Sequence, residues 1–282
     1  MKKNRLKIFA SVFLMFCGGA AAFAQALSAD GYYTRGDAYY DDGDFDEAIE
    51  AFTQAIKLDP KNAKYYNIRG YVYFDNGDNT KAFADFAQAI KLEPKNAEYY
   101  SSRGEFYFEN EDYAKAIADY NQAIKLEPNE AEYYASRGDT YYFIDDYAKA
   151  IADFTQAIKL DPKDAYYYFS RGDAYSLIDD YAKAIADFNQ AIKLDSKNAE
   201  YYSSRGYAYY LNDDYTKAIA DLTQAIKLEP NEAEYYYGRG RVYFDNGDNT
   251  KAIADFTQAV KLDPKNAAHK SSLAEAQKKA GR

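Results

Sequence analysis

The chain repeats itself every 34 residues. A Lys-Leu-acid-Pro segment recurs with proline at Pro60, Pro94, Pro128, Pro162, Pro230 and Pro264, and Ser196 stands where one more would fall. These are all six prolines of the 282 residues. A residue without an amide hydrogen is thus kept to one recurring place, just past a helix end, where it breaks nothing. Each unit is too small to bury an apolar face alone. A period of this length therefore predicts an elongated array in which units stack on their neighbours.

The unit at 97–130 shows how. Asn96 is placed to cap a first helix by accepting from its free amides. Tyr100, Gly104 and Tyr107 then fall at helical spacing. Glu109 to Asp112 reads as a turn, with Asp112 capping a second helix. There Tyr113, Ala116, Ile117, Tyr120, Ala123 and Ile124 form an apolar stripe of helical period, with Lys115 and Lys125 turned away. Seven such helix pairs are expected at 29–62, 63–96, 97–130, 131–164, 165–198, 199–232 and 233–266. A half-unit from Ala267 to Gly281 has Leu273 on one side and charges elsewhere, as a polar-faced capping helix requires.

Two slots recur in every unit. Glycine stands at Gly36, Gly70, Gly104, Gly138, Gly172, Gly206 and Gly240, inside a helix where it costs about 1 kcal/mol against alanine. Close helix contact explains it. Arginine precedes each of these glycines, from Arg35 to Arg239. The second helix carries Asp85, Asp119, Asp153, Asp187, Asp221 and Asp255 at one fixed slot. An internal ion pair within each unit is expected, rather than an arginine ladder for a ligand's carboxylates, because a buried guanidinium needs a partner. The first unit has Ala51 at the aspartate slot, so Arg35 alone should be orphaned, and should be exposed or find another acceptor.

The N-terminus reads as a secretory signal over residues 1–24, leaving 25–282 as the solenoid. Lys2, Lys3, Arg5 and Lys7 precede an apolar Ile8–Cys17 core too short to span a bilayer, and Ala22-Phe23-Ala24 offers a cleavage site before Gln25. The short core favours a cleaved signal over a retained anchor, and a periplasmic or secreted location. Lipid attachment at Cys17, the only cysteine, is the alternative; Phe16 stands where such a signal wants a small residue. Net charge is −10, and −14 without the signal's four bases. An acidic surface disfavours nucleic acid and bare membrane and favours basic or neutral polypeptides.

The pattern resembles the tetratricopeptide repeat family across residues 29–281. The matching slots in the third unit are Tyr100, Gly104, Tyr107, Tyr113, Ala116, Tyr120, Ala123 and Pro128. The turn glycine of the family is present at Gly43, Gly77 and Gly247 and acidic at Glu111, Asp145, Asp179 and Asp213. The resemblance implies an all-α, right-handed solenoid whose concave face binds peptides or proteins. Carried onto this sequence, the family's concave slots give Tyr33, Asp37 and Tyr40, then Tyr71 and Phe74, then Glu105 and Phe108, then Asp139 and Tyr142. Further along they give Phe169 and Asp173, then Tyr207 and Tyr210, then Tyr237, Arg241 and Phe244. Lys64 and Arg241 are the only bases, and only Asn67 fits the carboxylate clamp some members use. The implied ligand is an extended segment with Lys or Arg and apolar side chains.

Catalysis finds little support. His269 is the only histidine, and the Asp-Asn-Gly-Asp-Asn segments at 75–79 and 245–249 lack the closing glutamate of a calcium loop. No cofactor or metal is expected, and the chain is read as a binding scaffold and not an enzyme. A self-associating structural array, or a lipid-anchored assembly factor of an envelope complex, is the alternative. Oligomeric state stays open.

Overall fold

The computed structural model describes residues 27–281, so the expected signal, its cleavage site and Cys17 lie outside the described residues. Among the described residues there are fifteen α-helices and no strand. They are α1 (Ala29–Asp42), α2 (Phe45–Leu58), α3 (Ala63–Asp75), α4 (Asn79–Leu92), α5 (Ala97–Glu109), α6 (Tyr113–Leu126), α7 (Ala131–Phe143), α8 (Tyr147–Leu160), α9 (Ala165–Leu177), α10 (Tyr181–Leu194), α11 (Ala199–Leu211), α12 (Tyr215–Leu228), α13 (Ala233–Asp245), α14 (Asn249–Leu262) and α15 (Ala267–Lys279). Odd-numbered helices are the first of each pair (A) and even-numbered the second (B).

The caps are where the sequence places them. Asn96 accepts from the Glu98 amide at 3.0 Å, and Asp112 from that of Lys115 at 3.4 Å. Each A–B turn closes with its last residue but one in the left-handed region. Gly43, Gly77 and Gly247 take φ of 82–84°, while Glu111, Asp145, Asp179 and Asp213 take 60–61° with a side chain attached. The amides then return to the helix end. Asp112 N–H donates to Tyr107 O, and Glu111 N–H to Phe108 O, each at 2.9 Å.

Each B helix buries an aromatic or leucine on the glycine of its own A helix. A Cβ on Gly104 would lie 2.9 Å from the Tyr120 ring, and one on Gly172 would lie 2.8 Å from Phe188. Phe52, Phe86, Phe154, Phe188 and Leu222 are fully buried at this slot. Burial of one such ring contributes roughly 1.5–3 kcal/mol, more than the helix cost of glycine.

The A helices depart from the expected face. Their buried residues in α5 are Ala97, Tyr99, Ser102, Gly104 and Phe106, whereas Tyr100 and Tyr107 are half-buried. Helix A is wedged between its own B helix and the one before, so it buries a broader front than one stripe. Tyr100 and Tyr107 instead flank Arg103, whose guanidinium lies 5.8 Å from the Tyr107 ring.

The arginines pair within their own units. In Arg69–Asp85, Arg103–Asp119, Arg137–Asp153, Arg171–Asp187, Arg205–Asp221 and Arg239–Asp255, Nε and Nη2 donate to the two carboxylate oxygens at 2.7–2.9 Å. The remaining nitrogen, Nη1, reaches back to the preceding B helix. It donates to Thr53, Thr155 and Thr223 at 2.9–3.0 Å, and likewise to Asn121 and Asn189. Ala87 occupies that slot before the third unit, so Arg103 gains no such bond there. Arg69, Arg137, Arg171, Arg205 and Arg239 are thus clips between units, with their donors taken. Arg35 is exposed and donates to the Tyr39 hydroxyl at 2.8 Å.

From α3 onward each A helix touches the next A helix, and successive B helices make no comparable contact. The closer layer lies on the inside of a curve, so the A helices line the concave side. α15 closes the array by burying His269 and Ala276 against the last pair.

Candidate functional site

The concave slots carry fewer free side chains than their composition suggests. All sixteen candidates lie in A helices, and only Arg241 is exposed; the others are half-buried. Their rings pack within units and between them. Tyr33 stacks on Tyr65 at 5.6 Å, Tyr71 meets Phe86 edge-on, and Phe74 meets Phe106. Phe108 meets Phe143 at 5.1 Å, Tyr142 packs on Tyr147, and Phe169 lies 4.9 Å from Tyr201. Tyr237 lies against Phe256 and His269, and Phe244 under Lys279.

The hydroxyls hold carboxylates of neighbouring units. Tyr40 donates to Asp75 and Tyr210 to Asp245. Tyr71 donates to Glu105 at 3.0 Å, and Tyr166 to Asp139 at 2.5 Å. Tyr207 lies over the next unit, where a Cβ on Gly238 would be 2.4 Å from its hydroxyl. Lys64 sits 4.3 Å above the Tyr33 ring, which shows the geometry by which this face takes a cation. Asn67 is buried, its Oδ1 without a partner, so it is not presented to a ligand's carboxylate. Asp173 is the most perturbed acid. Burial first, and then the charge of Glu200, push its carboxyl up to about 7.

Two grooves open on this side at equivalent places three units apart. The larger, of about 1020 Å³, includes Tyr71, Glu93, Lys95, Glu98, Ser101, Glu105, Glu127, Glu130 and Glu132 in its walls. The smaller, of about 680 Å³, includes Asp195, Lys197, Glu200, Ser203, Tyr207, Glu229, Glu232 and Glu234. Each therefore sets at least five carboxylates against one lysine. None of the six glutamates of the larger groove is in an ion pair among the described residues. Glu234 in the smaller one lies 3.0 Å from His269 Nε2.

Side-chain size decides where the grooves lie. The fifth slot of helix A is Ser101 or Ser203 where they open, and Tyr33, Phe169 or Tyr237 where bulk fills the same place. Ala135 is also small, but Tyr166 leans over it from the next unit to reach Asp139.

The loops between units supply walls that the concave slots missed, namely Glu93, Glu127, Glu130, Asp195, Glu229 and Glu232. A signal for them exists. The usual Lys-Asn, or Lys-Asp at 163–164, becomes Asn-Glu at 129–130 and again at 231–232. Each change removes a base, adds an acid and spoils a cap. Glu130 caps nothing with its side chain, and Glu232 accepts from Glu234 N–H only at 3.5 Å.

A family model described as "Tetratricopeptide repeat" matches residues 33–91, 136–199, 178–222 and 203–267. Further models of the same repeat match 104–143 and 86–118, so the likeness runs unbroken from 33 to 267. No curated protein matches the chain. Among solved structures, the C-terminal part of a TPR repeat-containing protein from Cytophaga hutchinsonii is 21% identical with a TM-score of 0.68, covering 86% of this chain and 99% of that one. MamA is 28% identical with a TM-score of 0.55, covering 58% of this chain and 96% of its own. YrrB, described as a TPR protein with an unusual peptide-binding site, is 19% identical with a TM-score of 0.58, covering 68% and 97%. With the repeat, its helix pairs and its stacking all in agreement, the chain belongs to the tetratricopeptide repeat family.

Proposed function

We propose that this protein is an exported, non-catalytic scaffold that holds basic, partly apolar polypeptide segments in the acidic grooves of its concave face. Proteins of this family generally act as interaction scaffolds, and YrrB is described as having a peptide-binding site. The preference for bases rests on one observation above the others. At 129–130 and 231–232 the chain gives up a helix cap, typically worth about 1 kcal/mol, and gains acid at the two places where grooves open. A change that lowers stability twice, at the same two sites, is accounted for by what the charge attracts.

The test separates binding from folding. The variant Asn129→Lys/Glu130→Asn/Asn231→Lys/Glu232→Asn restores the repeat's own residues. It should melt higher than the parent. Its affinity for a fluorescent peptide rich in lysine and leucine should fall roughly tenfold or more, as opposing charges leave the site. A peptide array on which the parent prefers acidic or carboxylate-terminated segments sinks the proposal. Export predicts that protein recovered from the outer compartment has the intact mass of a chain beginning at Gln25; an acylated Cys17 would replace that reading with a lipoprotein.

A further inference from the structure

One joint of the array is built differently from the rest. Every B helix packs on the A helix that follows it, and α4 against α5 is the loosest of these joints. Two slots of α4 account for it. The first faces the arginine of the next unit. Thr53, Asn121, Thr155, Asn189 and Thr223 accept there from a guanidinium Nη1, and Ala87 has nothing to accept with. Arg103 therefore bonds Asp119 of its own unit and gains no hold on the unit before. Its side chain is 21% exposed, against 14–18% for the five arginines that reach back.

The second slot differs in bulk. Ile49, Ile117, Ile151, Ile185, Ile219 and Ile253 occupy it in the other units, and Phe83 in α4. Phe83 faces Phe106, where other units have alanine, valine or threonine. Two enlarged side chains thus meet at one interface, and excess bulk holds backbones apart. The Phe83 ring lies 6.3 Å from Phe106 and 6.0 Å from Tyr107, and stays 40% exposed. Phe106 in turn meets Phe74 at 5.6 Å and Phe86 at 5.8 Å. A charged hydrogen bond, which weakens steeply off its line, is replaced here by ring contacts that keep their worth over a range of angles. Two other bonds cross the joint: Tyr71 donates to Glu105 at 3.0 Å, and Asn79 to Asn110 at 2.6 Å. They tether the concave side and the turn edge. The side left to open is the one where Arg103 faces Ala87.

We propose that the solenoid bends at this joint, with the first two units moving as one body against the five that follow. The first two are clipped to each other by Arg69 and Thr53, and the last five by the arginines from Arg137 to Arg239. The joint between them is the unclipped one. Its position matters to the grooves. The larger takes Tyr71, Glu93 and Lys95 from one side of the joint and Ser101, Glu105 and Glu127 from the other, so bending changes its width. The smaller lies between residues 195 and 235, across joints that Arg205 and Arg239 both clip, so its walls stay fixed. The array thus carries one adjustable groove and one rigid one. The bending rests on packing alone and stands whether or not either groove takes a peptide.

The repeat supplies its own controls. Lys-Leu-acid-Pro-Lys-Asn-Ala recurs at 57–63 and 91–97, and at 193–199 with Ser196 for proline, so trypsin meets nearly the same sequence at each loop. Cleavage of the full chain after Lys95 should be roughly fivefold or more faster than after Lys61 or Lys197, the factor that one hydrogen bond contributes to local opening. The variant Phe83→Ile/Ala87→Thr installs residues that other units carry and should bring Lys95 level with the other two. Equal rates in the parent, or an unchanged rate at Lys95 in the variant, overturn the proposal. Spin labels measure the bending itself. In a Cys17→Ser background, one pair replaces the exposed Lys57 and Lys125 across the joint, and a second replaces Lys159 and Lys227, also two units apart. The first pair should give the broader distance distribution, narrowing in the variant to the width of the second. A first pair as narrow as the second overturns the proposal even if Lys95 is cut fast, by assigning the cleavage to fraying of one loop.

Discussion

Replacing Asp119 with alanine isolates what one arginine–aspartate pair contributes. Arg103 is 21% exposed at its side chain and Asp119 9%, so the pair is mostly but not wholly withdrawn from water. Removing one partner of a fully buried pair costs about 3–5 kcal/mol, and an exposed pair contributes at most about 1. The partial access of Arg103 places Asp119→Ala at about 2–3 kcal/mol on that scale. Arg103 has nothing to fall back on, because Ala87 offers no acceptor. Asp187→Ala should therefore cost about 1 kcal/mol less, since Arg171 keeps the Thr155 hydroxyl at 3.0 Å. The double variant Arg103→Met/Asp119→Ala should recover most of the loss, because it leaves no uncompensated charge. Urea denaturation followed by circular dichroism gives the totals. Hydrogen exchange of the α5 and α6 amides localises them, which matters because a solenoid need not unfold in two states. The reasoning fails if Asp119→Ala loses less than about 1 kcal/mol, if Asp187→Ala loses as much, or if the double variant is no better than the single.

Ala87→Thr should give Arg103 the bond that Arg69, Arg171 and Arg239 have and raise stability by about 1 kcal/mol in the same urea assay. Asp213→Gly should stabilise the chain by about 1 kcal/mol by relieving a side chain at φ 61°, read as a higher urea midpoint. Asp173 titrates at about 7 in the fold against an ordinary 3.8, so the folded state binds the proton more tightly. Its effect on stability is most favourable below pH 3.8 and is lost as pH rises towards 7; Asp173→Asn should flatten that decline and add up to about 4 kcal/mol at pH 8, measured as midpoints at pH 5 and pH 8.

Much of this architecture is local and so was legible in the chain itself. The period, the Asn and Asp caps, the turn slot and the stripe through Ala116, Tyr120 and Ala123 each follow from residues within one unit. The arginine pairing was also readable, since its partner is always sixteen residues away and the gap at Ala51 sets the register. What lay beyond the chain's own logic depends on how one unit meets the next. Tyr99, not Tyr100, is the buried tyrosine because helix A faces two B helices at once. The candidate aromatics from Tyr33 to Phe244 were expected in the groove, yet most of them also pack between units, because a ring on a curved inner face touches its neighbour before it touches a ligand. The grooves lie where Ser101 and Ser203 leave room and where loop glutamates from adjacent units converge. A single unit carries the acid, but only stacking brings those of successive units to one wall. The loose joint at Phe83 and Ala87 has the same origin: each residue is an isolated departure in the sequence, and only stacking sets both against α5.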